Sequence, residues 1–159
     1  MRLIIFGIIS VILIIISGCL KPTDVDILLS VPEEIVIDGR KYVLETYLYR
    51  DFMPECPPDG ESLFGYGCIT AVDSQIPSDN ITENQVWIIK GNDIWQSDFR
   101  EIWRYPNSYY PNQIIGLFIN GPKWGPDITV DVVLRVIDTT KNQEYLLRAS
   151  NQYIQMVCK

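Results

Sequence analysis

Ile128-Thr129-Val130-Asp131-Val132-Val133-Leu134-Arg135-Val136-Ile137-Asp138 carries the strongest periodic signal in the chain. Ile128, Val130, Val132, Leu134 and Val136 share one parity, while Thr129, Asp131 and Arg135 share the other with Val133 and Ile137. Successive side chains of a strand point to opposite faces, so this alternation, rich in β-branched residues, predicts a half-buried strand. Asp138-Thr139-Thr140-Lys141-Asn142 reads as a turn and 145–148 as the returning strand. Residues 151–157 read as a further strand or a bulged continuation, with Ile154, Met156 and Cys158 aligned.

Working outward, Ile35-Val36-Ile37 faces 40–50 across Asp38-Gly39, a dipeptide favoured in tight hairpin turns. Within 40–50, Tyr42, Leu44 and Leu48 alternate against Glu45, Tyr47 and Tyr49. A third strand is expected at 67–72. A second hairpin is expected from Val86-Trp87-Ile88-Ile89 and Ile94-Trp95 around Lys90-Gly91-Asn92-Asp93. Residues 114–119 are apolar and fit either a strand or one or two helical turns. Gly121-Pro122 ends them, and 122–126 form a rigid loop around Trp124. Trp87, Trp95 and Trp124 are expected in the core or at its edge. Roughly seven or eight short strands, no long amphipathic helix and no repeat predict an all-β antiparallel sandwich or barrel. Trp124-Gly125-Pro126 followed by the alternating strand, its turn and its return resembles the closing hairpin of immunoglobulin-like or fibronectin-type domains. That resemblance implies an antiparallel sandwich of about 7–8 strands over 32–159. Residues 121–150 also resemble prokaryotic exported domains, a likeness that implies no activity.

The N-terminus reads as an export signal. After Met1-Arg2, residues 3–16 are apolar apart from Gly7 and Ser10. As a helix this run spans about 21 Å, short against a hydrocarbon core of about 30 Å but suited to a secretory signal. Ile16-Ser17-Gly18-Cys19 resembles the lipobox of prokaryotic lipoproteins. The resemblance implies a signal peptide at 1–18, a diacylglyceryl group on the Cys19 sulfur and cleavage after Gly18. It also implies a palmitate-type anchor holding the chain on the cell membrane, facing outside the cytoplasm. Residues 19–31 would then be the lipidated cysteine and a short tether.

Charge and composition narrow the function. The chain has 159 residues, 13 Lys+Arg, 20 Asp+Glu and no His, net −7. Removing 1–18 takes away Arg2 alone and leaves net −8. Zero His excludes Ser-His and Cys-His catalytic pairs and His-ligated metals. The acidic balance argues against nucleic acid as a partner. Of the remaining cysteines, Cys56 and Cys68 are expected to form a disulfide in an oxidising compartment, closing a Pro- and Gly-rich loop. Cys158 is left as a small apolar residue, with intermolecular pairing or pairing to one of the other two as alternatives. No metal or cofactor is expected. Asp24-x-Asp26 and Asn92-Asp93 lack the spaced ligands of a calcium loop. Glu33-Glu34 and Asp59 with Glu61 read as solvated turn charge rather than a glycosidase-like pair. Asn80-Ile81-Thr82 matches a glycosylation sequon.

One stretch has binding character. In 102–111, Trp103, Tyr105, Tyr109 and Tyr110 lie among Pro and Asn residues that favour a loop. Such side chains bring large contact area at low entropic cost. Either they form a binding loop, or Trp103 packs beneath it while the tyrosines cover a sheet edge. The expectation is a non-catalytic binding or envelope-assembly module, not an enzyme, engaging another envelope protein or less readily a glycan. An envelope hydrolase or accessory acting through acidic residues, and a structural spacer, are the alternatives.

Overall fold

The computed structural model describes residues 24–158. Asp38 (φ 52°) and Gly39 (φ 76°) both adopt the left-handed conformation that a type I′ turn requires. They join β1 (Glu34–Ile37) to β2 (Arg40–Asp51), with Ile37 opposite Arg40. There follow β3 (Leu63–Ala71), β4 (Ile81–Lys90) and β5 (Asp93–Asp98), the last two joined through Gly91 at φ 58°. Then come β6 (Glu101–Arg104), β7 (Gln113–Gly121), β8 (Thr129–Asp138) and β9 (Gln143–Val157). The all-β expectation holds. The alternating segment within 128–138 is β8, and the ambiguous 114–119 lies in β7. There Ile114, Gly116 and Phe118 are buried while Ile115, Leu117 and Ile119 are half-buried, the period-two pattern of a strand.

The strands form one curled sheet in the order β5-β4-β8-β9-β2-β3-β7-β6, with β1 added on β2. Its two halves share a core. Leu44, Leu48, Ile69 and Phe118 from one half pack with Val86, Ile88, Val132 and Leu134 from the other. β9 joins the halves. Its first part pairs antiparallel with β8, Leu147 opposite Leu134, and its last part pairs with β2, Ile154 opposite Leu48. Between them the register shifts, so that Asp131 faces both Ser150 and Asn151, with Asn151 at φ 54°. The alternative of a bulged continuation is therefore the one realised.

Two expectations change here. The sheet is mixed rather than wholly antiparallel, because β2 and β9 run parallel. No tight turn links these distant strands, so no local signal sets their direction. The other concerns residues 25–31, expected to lie in a tether. Asp24 accepts the Asp26 N–H and caps a helix, α1 (Val25–Leu29), whose Leu28 is fully buried. With Val31 it packs on Trp87, Ile89 and Val133, the outward residues of β4 and β8. Residues 25–31 thus belong to the folded domain.

At the end of β2 the Arg50 side chain is 2% exposed. Its Nε donates to the Glu61 carbonyl at 2.8 Å, and Nη1 donates to those of Lys123 (3.0 Å) and Gly125 (2.8 Å). Nη2 donates to the Asp59 carbonyl, and the guanidinium carbon lies 4.8 Å from the Phe52 ring centroid. The fork of donors thus ties the 52–62 loop and the 122–128 loop to one strand end. Arg50→Met should lower stability by about 3 kcal/mol or more, since each buried carbonyl left unpaired costs roughly 1–3 kcal/mol. Arg50→Lys should recover less than half, because an ammonium lacks the planar fork. Urea midpoints check both, and a wild-type midpoint for the lysine variant would show that charge alone holds the loops.

Candidate functional site

Strand alternation decides which residues reach the outer face of β2, β3, β7 and β6. Tyr47 and Tyr49 come from β2, Phe64, Tyr66 and Cys68 from β3, Ile115 and Leu117 from β7, and Trp103 from β6. The register sets Tyr47 beside Tyr66, Tyr66 beside Leu117, and Ile115 between Cys68 and Trp103. Tyr49 stacks on Phe64 with centroids 5.6 Å apart, and Tyr66 meets Trp103 at 6.2 Å with planes inclined by 45°.

The loop after β6 folds over one end of this face. Asn107 N–H donates to the Arg104 carbonyl (2.8 Å), Tyr110 N–H to Ser108 Oγ (3.2 Å), and Gln113 N–H to the Tyr110 carbonyl (3.2 Å). The Arg104 guanidinium donates to the Ile81 carbonyl, which ties the base of the loop to β4. Tyr109 and Tyr110 meet edge to face, centroids 5.3 Å apart, and Tyr109 is 92% exposed. The result is a groove of about 310 Å³ walled by Tyr47, Tyr66, Trp103, Tyr109 and Tyr110, with Cys68 and Ile115 among its lining. Its size falls at the lower end of small-molecule sites, roughly 300–1,000 Å³.

Polar groups gather at one end. Gln113 lines the groove and donates through Nε2 to Glu45 Oε2 at 2.7 Å, and Thr70 Oγ1 donates to the same oxygen at 2.7 Å. Burial, then the nearby charge of Glu45, raises the Tyr47 phenol above its ordinary value. Burial, followed by the charges of Glu83 and Glu45, pushes the Cys68 thiol up to about 12. Cys68 is therefore a protonated thiol at neutral pH and not a nucleophile. No Lys or Arg lines the groove among the described residues.

Three of the four residues expected in a binding loop come together here. Trp103 does so from strand β6 rather than from a loop, and Tyr105, half exposed, lies outside the lining. Tyr47, Tyr66 and Glu45 were not identified as site residues. Their only signal was two aromatic side chains and a carboxylate on the non-core parity of their strands. The expected bridge between Cys56 and Cys68 does not form, and Cys56, Cys68 and Cys158 are all free. Cys68 is opposite Glu45, whereas Cys56 lies past the far end of β2, where its thiol meets Asp51. Six residues of strand separate Glu45 from Asp51, about 20 Å, while a disulfide holds its Cα atoms within about 7 Å.

The other marked residues have structural partners. Glu34 pairs with Lys41 at 2.8 Å, Glu33 with Arg148 at 3.3 Å, and Asp59 with Lys123 at 2.8 Å. The Asn80 amide nitrogen of the sequon donates to Asp138 Oδ1 at 2.7 Å. Cys19 and the lipobox lie outside the described residues. No protein-family model, curated protein or solved structure matches the chain.

Behind the groove wall sits a carboxyl group that sequence reasoning did not single out. Glu83 on β4 is fully buried, neither oxygen has a hydrogen-bond partner among the described residues, and its Oε1 and the Phe99 ring both crowd Gly116. Burial raises its pKa well above the ordinary 4.5, against a weaker opposing pull from Arg104. The folded chain therefore holds a proton that the unfolded chain releases above about pH 4.5. This contribution is fully present below that pH and is lost as pH rises toward the folded-state pKa. Glu83→Gln should abolish this slope, so that the variant gains on wild type progressively from pH 4.5 upward. Urea midpoints across a pH series measure it, and parallel curves for the two proteins would refute a neutral Glu83.

Proposed function

We propose that the chain is an exported, lipid-anchored, non-catalytic binding module whose aromatic groove receives its partner. The observation that carries this reading is the groove itself, five aromatic side chains gathered from three strands and one loop on a sheet face that no other described element covers. An uncovered apolar face of this kind on a soluble domain marks an interaction surface. The chemistry favours binding over turnover, because the groove's thiol is protonated and its neighbouring carboxylate is held by Thr70 and Gln113.

The anchor rests on the sequence alone, on Ile16-Ser17-Gly18-Cys19 after the apolar run. It would hold the domain on the membrane, outside the cytoplasm, where another envelope protein is the first partner to consider and a glycan the second. For the fold, a core supplied by both halves of the curled sheet and the closing β8–β9 hairpin support an immunoglobulin-like sandwich.

Two outcomes follow. Trp103→Ala combined with Tyr109→Ala should abolish capture of partners from envelope extracts while costing clearly less than the roughly 3–5 kcal/mol of truncating a core tryptophan. A large stability loss would assign these rings to the core and defeat the groove reading. Separately, intact mass of protein taken from its host membrane should give a chain beginning at acylated Cys19. A chain beginning at Met1, or an unmodified Cys19, would remove the anchor and leave the groove reading untouched.

A further inference from the structure

The groove has properties that select among ligand chemistries. Its rings are not coplanar: Tyr66 and Trp103 are inclined by 45°, and Tyr109 and Tyr110 by 88°. A sugar stacks best on one flat platform, whereas mutually inclined rings offer their negative faces to a single point from several sides. Tyr66 and Trp103 have centroids 6.2 Å apart, close enough for one group to lie within the cation–π reach of about 6 Å from both. At one end stands the carboxylate of Glu45, oriented by Thr70 and by the lining residue Gln113, and no Lys or Arg of the described residues lines the walls. An anion would meet only repulsion there. Ile115 and Cys68 complete the apolar part of the lining, and the uncharged side chains of Asn107, Ser108 and Gln113 are its polar part.

We propose that the groove binds a free small molecule bearing a quaternary or alkylated ammonium group, seated among Tyr47, Tyr66, Trp103 and Tyr110 with Glu45 balancing its charge. This rests on the groove being a ligand site and adds the class of ligand. An alkylated ammonium matches both halves of the site: its methyl groups bury against rings and Ile115, and its diffuse charge needs no hydrogen-bond donors from the protein. A metal ion would demand a cluster of charged oxygen ligands, and no Asp or Glu of the described residues lines the groove.

The test is calorimetric titration of the full chain with choline and with 3,3-dimethylbutan-1-ol, which has nearly the same shape and no charge. Choline should bind saturably and the alcohol at least about tenfold more weakly, the share expected from a desolvated cation–π contact. Glu45→Gln, which keeps an oxygen for Thr70 and Gln113, should weaken choline about tenfold and flatten its salt dependence. Because the choline and alcohol comparison uses the wild-type chain, it stands even if a variant misfolds. Equal binding of choline and the alcohol would overturn the cation and leave an apolar ligand groove. Binding of N-acetylglucosamine or cellobiose but not choline would overturn it in favour of a sugar. Sedimentation with phosphatidylcholine vesicles, without heat from choline, would overturn the free-ligand source in favour of a lipid headgroup. No response to any of these probes, with partner capture still lost in the Trp103 and Tyr109 variant, would sink this inference and leave the binding-module reading intact.

Discussion

The fold depends on β9 changing partners part-way along its length. Residues 143–149 belong to the β8 side and 154–157 to the β2 side, so this one strand closes what would otherwise be two small sheets with raw edges. The bulge at Ser150 and Asn151 makes the change of direction possible, and side chains hold it. Thr46 donates its hydroxyl proton to Gln152 Oε1 at 2.6 Å, and the Gln152 amide donates back to the Ser150 carbonyl at 2.7 Å. Beyond it, Ile154 exchanges backbone hydrogen bonds with the 127–128 segment, and Arg50, opposite Met156, grips the carbonyls of Lys123 and Gly125. The crossing strand and the buried guanidinium are thus two parts of one junction.

From that junction the two outer faces meet different fates. On the β4–β8 side, Leu28 and Val31 cover Trp87, Ile89 and Val133. On the β2–β3–β7–β6 side, no helix among the described residues does the same, and the residues there are tyrosines and a tryptophan, apolar bodies with polar tips that tolerate half-exposure. The inward positions explain why bulk collects outside. β3 presents Gly65 and Gly67 to the core and Phe64, Tyr66 and Cys68 outward. A Cβ on Gly67 would press on Leu134 at 3.0 Å, and one on Gly116 would collide with Glu83 and Phe99. Neighbours from the other half fill the space these glycines leave. Close approach inside and aromatic density outside are one packing solution.

Much of this was legible in the sequence, where the signal is local. The parity of 128–138 and the Asp38-Gly39 turn each specify geometry within a few residues, and β8 and the β1–β2 hairpin follow. What escaped is non-local or too short. The parallel pairing of β2 with β9 joins residues about a hundred positions apart. β6 has four residues, two of them exposed, and shows no clear alternation, so Trp103 read as loop. Trp103, Tyr109 and Tyr110 could be found because they cluster in sequence, whereas Tyr47, Tyr66 and Glu45 join them only through register. Arg50 did leave a trace, since it continues the inward parity of Tyr42, Leu44 and Leu48. Glu83 left less. A register shift between Glu83 and Gln85 changes the inward parity of β4 from odd to even, which masks that the carboxyl shares a face with Val86 and Ile88.

These two buried ionisable side chains meet burial in opposite ways, and the difference divides the molecule. Arg50 surrounds its guanidinium with carbonyl dipoles, each accepting from the planar fork of donors. Glu83 has no hydrogen-bond partner among the described residues, and burial favours its protonated form. The first stands at the β2–β9 junction, and the second stands behind the wall of the groove, against Gly116. Its nearest opposing charge is Arg104, the residue from which the aromatic loop departs. A rise in pH therefore acts on the side of the domain that holds the groove, through the carboxyl behind its wall.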